Sequence, residues 1–303
     1  MLEIDPEIVG VLQFVPLPTI DAETLASIRV LELAPPPELS AAVQRTGHTV
    51  AGDPDIVVRV HRPIGATGAL PCFYSIHGGG YVIGSYVMDD ARLDSWCQEF
   101  QCVGVSVEYR LAPETPYPGP LEDCYRGLKW VHDNHEMLGV DPGRIGIGGT
   151  SAGGGLAASL ALLARDRAEV PVHFQLLDCP MLDDRQITPS SQGEGLAIWP
   201  RESNTFGWQS YLGDLYGTDN VPIYAAPARA TDLSGLPPAF VCVGNVDGFR
   251  DEDIDYAMRL NQAGVPTELH VHPGAPHGVE LFADTAAAKR YGRTMRDWVG
   301  RHL

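Results

Sequence analysis

The sequence predicts an α/β protein: a mainly parallel central sheet flanked by helices, with a helical cap over the strand ends. Three observations predict it. From about residue 45 onward, short apolar runs alternate with amphipathic helical patterns. One of those runs leads directly into a glycine-framed serine and then an Ala/Leu helix, at Gly149 to Gly153. Two stretches, 1–45 and about 183–227, break the alternation, and a long aperiodic segment inside a compact domain is usually a functional insertion.

The elements follow in chain order. Ala22 to Leu33 carries apolar residues at Leu25, Ile28 and Leu31, with Asp21 placed to cap the start, which predicts a short amphipathic helix stopped by Pro35, Pro36 and Pro37. Ile56 to His61 alternates as a half-buried strand does. Leu70 to Ile76, Val103 to Tyr109, Ile145 to Gly148, Phe174 to Cys179, Ala239 to Gly244 and Leu269 to His272 read as further strands. Helical patterns occupy Leu121 to Asn134, Ala152 to Ala164, Glu252 to Ala263 and Thr285 to Val299. Strands covered on both faces by intervening helices make a parallel sheet, whose ligands sit beyond the carboxyl ends of the strands. Asp183 to Pro227 is rich in Trp, Tyr, Gly and Pro and lacks a strong period. It is expected to be a partly helical insertion over those strand ends, meeting the N-terminal helix. The expected division is therefore an N-terminal cap segment at 1–45 and a catalytic domain at 46–303, with a cap insertion at about 183–227.

Composition narrows the function. The chain has 303 residues and 21 Lys plus Arg against 39 Asp plus Glu, a formal charge of −18. A field of that sign repels phosphate backbones and anionic lipid, which argues against nucleic-acid and membrane-surface partners. No run approaches the roughly 18–20 apolar residues that span a bilayer. Glu3, Asp5 and Glu7 stand where a secretory leader would be basic, and Pro16 and Pro18 interrupt the apolar run after them, so a cytoplasmic location is expected. The cysteines, Cys72, Cys97, Cys102, Cys124, Cys179 and Cys242, show no CxxC spacing. They read as free core thiols, with neither a disulfide framework nor a metal site.

Chemistry concentrates at the turns. Gly149-Thr150-Ser151-Ala152-Gly153 is a G-x-S-x-G pattern between a strand and a helix. The nucleophile of such a turn sits in strained backbone, and side chains two residues away on either side would collide. Phosphate-binding readings fail on residues, since position 154 is Gly where a P-loop needs Lys. A second cluster, His77-Gly78-Gly79-Gly80, follows the strand ending at Ile76. It is expected to supply oxyanion donors from Gly79 and Gly80, joined by Ala152 just after the serine. Gly78 is expected to shape the turn, and His77 to anchor the loop. Asp247 is the first acid past the strand ending at Gly244, whereas Asp251, Glu252, Asp253 and Asp255 open the next helix and would complement its positive end. His277 lies in a Pro-Gly-Ala-Pro-His-Gly loop after the last strand, the position of a general base. His270 and His272 share a strand face, and a metal site from His132 and His135 has no fitting acid or cysteine pattern.

On these motifs the chain resembles the hormone-sensitive lipase-like family of bacterial carboxylesterases, in the α/β-hydrolase superfamily. The residues that carry the likeness are HGGG at His77 to Gly80, EYRLAPE at Glu108 to Glu114, GTSAGG around Ser151, CPMLDDR at Cys179 to Arg185, DGFRDE at Asp247 to Glu252, and the late HG. The threonine before the serine is similar to the GTSAG branch, and Gly248-Phe249 replaces the usual Pro-Leu. The resemblance implies the α/β-hydrolase fold, a cap from the two irregular segments, and a Ser151–His277–Asp247 triad. It further implies cofactor-free hydrolysis of short- to medium-chain esters, a small-molecule ester as the partner, and pairing of copies through the last strand. Amide, lactone and carbamate hydrolysis use the same machinery and stay open. A ligand receptor on this fold is disfavoured by His277, because such receptors lose the catalytic histidine.

Overall fold

In a computed structural model, residues 3–12, 19–31, 39–194 and 196–303 are described. Eight strands form one sheet: β1 (Val43–Val50), β2 (Ile56–Pro63), β3 (Leu70–Ile76), β4 (Val103–Glu108), β5 (Val140–Thr150), β6 (Gln175–Asp178), β7 (Ala239–Gly244) and β8 (Thr267–His272). Their order is β1-β2-β4-β3-β5-β6-β7-β8. β2 pairs antiparallel with both β1 and β4, and every pairing from β4 to β8 is parallel.

Side-chain alternation sends neighbouring residues to two separate cores. Cys72, Tyr74, Leu177 and Val241 join a cluster with α4 (Gly119–Asp133), α6 (Ala152–Arg167) and α8 (Arg250–Gln262). Phe73, Leu176, Phe240 and Cys242 face the other way, onto α3 (Asp90–Phe100) and α9 (Ala286–His302). Burial on both faces explains why these strands read as near-continuous apolar runs. All six cysteines are buried and free, as their placement in apolar surroundings predicts.

Elements that the sequence pattern did not disclose are the ones that depend on distant partners. β1 alternates weakly because only its end residues, Val43 and Val50, are buried, while the strand itself lies at the sheet edge. α3 buries Asp90 and Asp94, and these carboxylates pair with Arg59 and Arg45 and with both ring nitrogens of His61 on the antiparallel strands. α1 (Pro6–Leu12) inserts a fully buried Ile8, and the Asp5 amide donates to the Gly274 carbonyl at 2.9 Å. α5 (His135–Leu138) is a single turn.

The expected helix at 22–33 is shorter in the structure: α2 spans Leu25–Arg29. Asp21 closes the turn ahead of it, its Oδ1 accepting from the Glu23 and Thr24 amides at 2.9 and 2.8 Å, while the N-cap of the helix itself is Thr24, which makes no side-chain cap bond. Leu31 is exposed, so the apolar spacing overstated the buried face. The proline run at 35–37 lies outside the described residues. Arg29 then ties this segment down, donating to the Val82 and Ala112 carbonyls and to both oxygens of Glu114. Within 183–227 the main helix is α7 (Arg201–Leu212). The Ile20 amide donates to Ser203 Oγ at 2.8 Å, which joins the two irregular segments directly.

Candidate active site

Ser151 follows β5 and precedes α6 at φ +59°, ψ −122°. A non-glycine residue holds this conformation only where its surroundings impose it. The imposing contacts are close. A Cβ on Gly149 would lie 2.4 Å from the Ile76 carbonyl oxygen, and one on Gly153 only 2.0 Å from it. The Ser151 amide donates to the Asp178 carbonyl at 2.8 Å, and its own carbonyl accepts from Gly155 and Met181. The hydroxyl is thereby raised beyond the strand ends with α6 pointing away from it.

The loops after β7 and β8 bring the other two groups to that hydroxyl. His277 Nε2 lies 2.9 Å from Ser151 Oγ, and His277 Nδ1 lies 2.8 Å from Asp247 Oδ2. The second oxygen of Asp247 accepts the Phe249 amide at 2.9 Å, so the carboxylate is fixed in orientation. All three residues are buried. Burial disfavours the imidazolium form of His277, but the charge and hydrogen bond of Asp247 outweigh it and raise the ring above its ordinary 6.5. Phe249 meets the imidazole edge-on, with centroids 5.0 Å apart.

The HGGG loop after β3 runs alongside. Gly79 and Gly80 have φ of +114° and +58°. Among the described residues, the amides of Gly79, Gly80 and Ala152 donate to no backbone or side-chain acceptor. Ala152 is the first residue of α6, where amides have no partner within the helix. His77 is an anchor: its Nδ1 bonds the Gly78 carbonyl at 2.8 Å, and its ring stacks on Tyr109 at 4.1 Å. Burial pushes its pKa down to about 4, so the ring is neutral. The Tyr109 hydroxyl donates to the His77 carbonyl at 2.9 Å, which shows what the EYRLAPE stretch does for the loop.

Residues 73–281 match the family described as alpha/beta hydrolase fold. The chain belongs to this family. It is 37% identical over 300 residues to carboxylesterase NlhH of Mycobacterium tuberculosis, an alignment covering 96% of this chain and 94% of that protein. It superposes on a solved bacterial heroin esterase with a TM-score of 0.92 at 39% identity, covering 99% and 98% of the two chains. Esterase LipW from Mycobacterium marinum gives a TM-score of 0.85 at 32% identity, over 99% and 96%.

This α/β hydrolase also uses residues that its sequence did not single out. Asp178, at the end of β6, accepts from Thr150 Oγ1 at 2.8 Å and from the Tyr291 hydroxyl at 2.6 Å. Arg92 reaches Thr150 Oγ1 at 3.2 Å. This network steadies the residue before Ser151, and the only sequence trace of Asp178 was its place just ahead of the CPMLDDR stretch. The acids at the start of α8 need correction. Glu252 is buried and accepts the Leu182 and Asp183 amides, while Asp251 accepts the Ser190 amide. They hold the insertion to the acid loop more than they complement a helix end. Asp253 is fully buried, neither oxygen has a hydrogen-bond partner among the described residues, and burial pushes its carboxyl well above the usual carboxylate range.

Other sites offer less. The Cys179 thiol lies with Asp247 and His277 so that their ligand atoms fall within 4.8 Å of one another. Burial and the neighbouring Asp178 and Asp247 push that thiol up, whereas a metal needs the thiolate. Asp247 and His277 are moreover engaged with each other, so the donor set does not fit an ion. His135 Nδ1 bonds the His132 carbonyl, and His270 bonds Glu268. A cleft of about 600 Å³ holds Arg185, Arg229 and Arg259 but not Ser151, Asp247 or His277. Arg185 and Arg229 are already paired with Asp183 and Asp184. Trp208 and Tyr211 are fully buried against Tyr81 and serve packing.

Proposed function

We propose that this α/β hydrolase is a serine carboxylesterase for short- to medium-chain esters, with Ser151, His277 and Asp247 as its catalytic triad. One observation carries the reading: the unbroken chain from Asp247 through His277 to Ser151 Oγ, with links of 2.8 and 2.9 Å. Ser151 attacks the ester carbonyl as His277 Nε2 takes its proton, and Asp247 fixes the tautomer and offsets the positive charge that forms. The amides of Gly79, Gly80 and Ala152 receive the tetrahedral oxyanion, each donor contributing about 3 kcal/mol to the barrier reduction. His277 returns the proton to the leaving alcohol, and water, activated by the same base, releases the acid. No step calls for a cofactor.

The segments at 1–45 and about 183–227 act in this reading as a cap, supported by the bond from Ile20 to Ser203 and by the anchorage of Arg29 on the strand-end loops. A covered site accepts dissolved esters better than aggregated lipid. Pairing of two copies through β8 draws support from its place at the open sheet edge.

The test is hydrolysis of p-nitrophenyl esters from acetate to palmitate. Turnover is expected to peak between acetate and octanoate and to fall steeply by palmitate. A peak at palmitate, or no hydrolysis of any member, would overturn the reading. The pH profile gives a second expectation. His277 is a base only when neutral, and its raised pKa keeps it protonated to higher pH. The acid limb of kcat/KM is therefore expected to have its midpoint above the ordinary histidine value of about 6.5. A midpoint below 6 would contradict the Asp247 contact.

A further inference from the structure

Three residues of the insertion each sit on a glycine belonging to a different catalytic loop. A Cβ on Gly248, in the acid loop, would lie 2.9 Å from Leu196 Cδ1. One on Gly278, beside the base, would lie 3.1 Å from Ile198 Cγ2. One on Gly80, in the oxyanion loop, would lie 2.1 Å from the Trp199 indole. Leu196 to Trp199 is therefore a strap laid across all three loops, in contact with backbone that carries no side chain. Gly248 is the position where this chain departs from the family's Pro, and the departure makes room for Leu196.

The strap is held in a set shape. The Trp199 amide donates to the Ala197 carbonyl at 2.8 Å, across Ile198 at φ +70°, a conformation that β-branched residues adopt only under constraint. Trp199 Nε1 donates to Asn204 Oδ1 on α7 at 3.1 Å. Upstream, Ser190 Oγ donates to the Gly248 carbonyl at 2.8 Å, which ties the insertion to the acid loop.

The reaction's geometry says which part of a substrate meets this strap. With the carbonyl carbon on Ser151 Oγ, the oxyanion points to the HGGG amides and the leaving oxygen points to His277 Nε2, which must protonate it. The acyl chain takes the remaining direction. Trp199 touches Gly80 and its ring centre lies 6.4 Å from that of His277, so it flanks the quarter between oxyanion and leaving group. Phe249 stands edge-on to the same imidazole. We propose that the Leu196–Trp199 strap is the alcohol-side wall of the site, and that Trp199 makes the enzyme favour esters of aromatic alcohols. The proposal rests on the serine-esterase reading above.

The test compares two substrate series in the wild type and in Trp199→Ala, Trp199→Leu and Trp199→Phe. In the first, acetate is fixed and the alcohol runs through ethanol, cyclohexylmethanol and benzyl alcohol, whose leaving-group basicities are similar. In the second, p-nitrophenol is fixed and the acyl group runs from acetate to octanoate. The Ala and Leu variants are expected to lower the benzyl-to-ethyl ratio of kcat/KM roughly tenfold, the scale of one aromatic contact, with acyl ratios within twofold of wild type. Phe is expected to retain most of the preference. If the Ala variant does not fold, the Leu–Phe contrast still decides. An acyl-series shift with an unchanged alcohol series, or no shift in either, overturns the proposal. Labelling by a fluorophosphonate separates the two levels: an unlabelled wild type defeats the esterase reading, whereas full labelling with unchanged selectivity defeats only the strap.

Discussion

Replacing Ser151 with alanine is expected to remove ester turnover, lowering kcat by about a millionfold, the scale seen when the nucleophile of a triad is lost. Of the described neighbours that carry a thiol or hydroxyl beside it, neither Cys179 nor Thr150 can take its place. Cys179 is a protonated thiol held up by burial and by acidic neighbours, and Thr150 Oγ1 is committed to Asp178. The backbone should survive. Alanine keeps the Cβ, and the amide and carbonyl bonds that hold the turn, to Asp178, Gly155 and Met181, involve no hydroxyl. The variant is thus expected to melt within a few degrees of the wild type while losing both p-nitrophenyl butyrate turnover and fluorophosphonate labelling. Residual activity within tenfold of the wild type would mean that another residue is the nucleophile.

Changing Asp247 to asparagine is expected to lower kcat by about ten-thousandfold, although the two side chains have nearly the same shape. The structure supplies the reason. Oδ1 of Asp247 accepts the Phe249 amide, and Oδ2 accepts from His277 Nδ1. An asparagine must turn its oxygen toward the Phe249 N–H, which leaves its NH2 facing His277. Nδ1 then has to accept, the ring proton moves to Nε2, and the nitrogen facing Ser151 can no longer take a proton. Loss of the carboxylate charge should also shift the acid limb of the pH profile downward, since Asp247 is what raises His277. A variant with near-normal kcat and an unmoved limb would show that the carboxylate neither orients nor charges the base.

Much of this site was legible because its chemistry constrains local sequence. A strained nucleophile turn needs small residues at 149 and 153, where the Ile76 carbonyl leaves no room for a Cβ. A loop that aims amides inward needs glycines such as Gly79 and Gly80, whose φ values are positive. The interior strands were readable for a similar reason: buried on both faces, β3 and β7 had to be apolar, and their limits were foreseen to the residue. The acids at the start of α8 show where such reasoning stops. Their spacing fits a helix N-terminus, yet Glu252 spends its carboxylate on the backbone at 182 and 183, some seventy positions earlier in the chain.

By itself the sequence determined the fold class and most of the alternating strands and helices that build the sheet, and it singled out Ser151, Asp247 and His277 as candidates. These follow from short-range patterns, because periodicity and turn chemistry act over only a few residues. Tertiary structure alone decided how those groups meet, that α3 can bury two aspartates because Arg45, Arg59 and His61 face them, and that Asp178 braces the turn at Ser151. It also laid Leu196, Ile198 and Trp199 on glycines 52, 80 and 119 positions away in the chain, as the numbering shows. Contacts of that range arise only when the strand ends are gathered at one edge of the sheet, and no local pattern of residues encodes them.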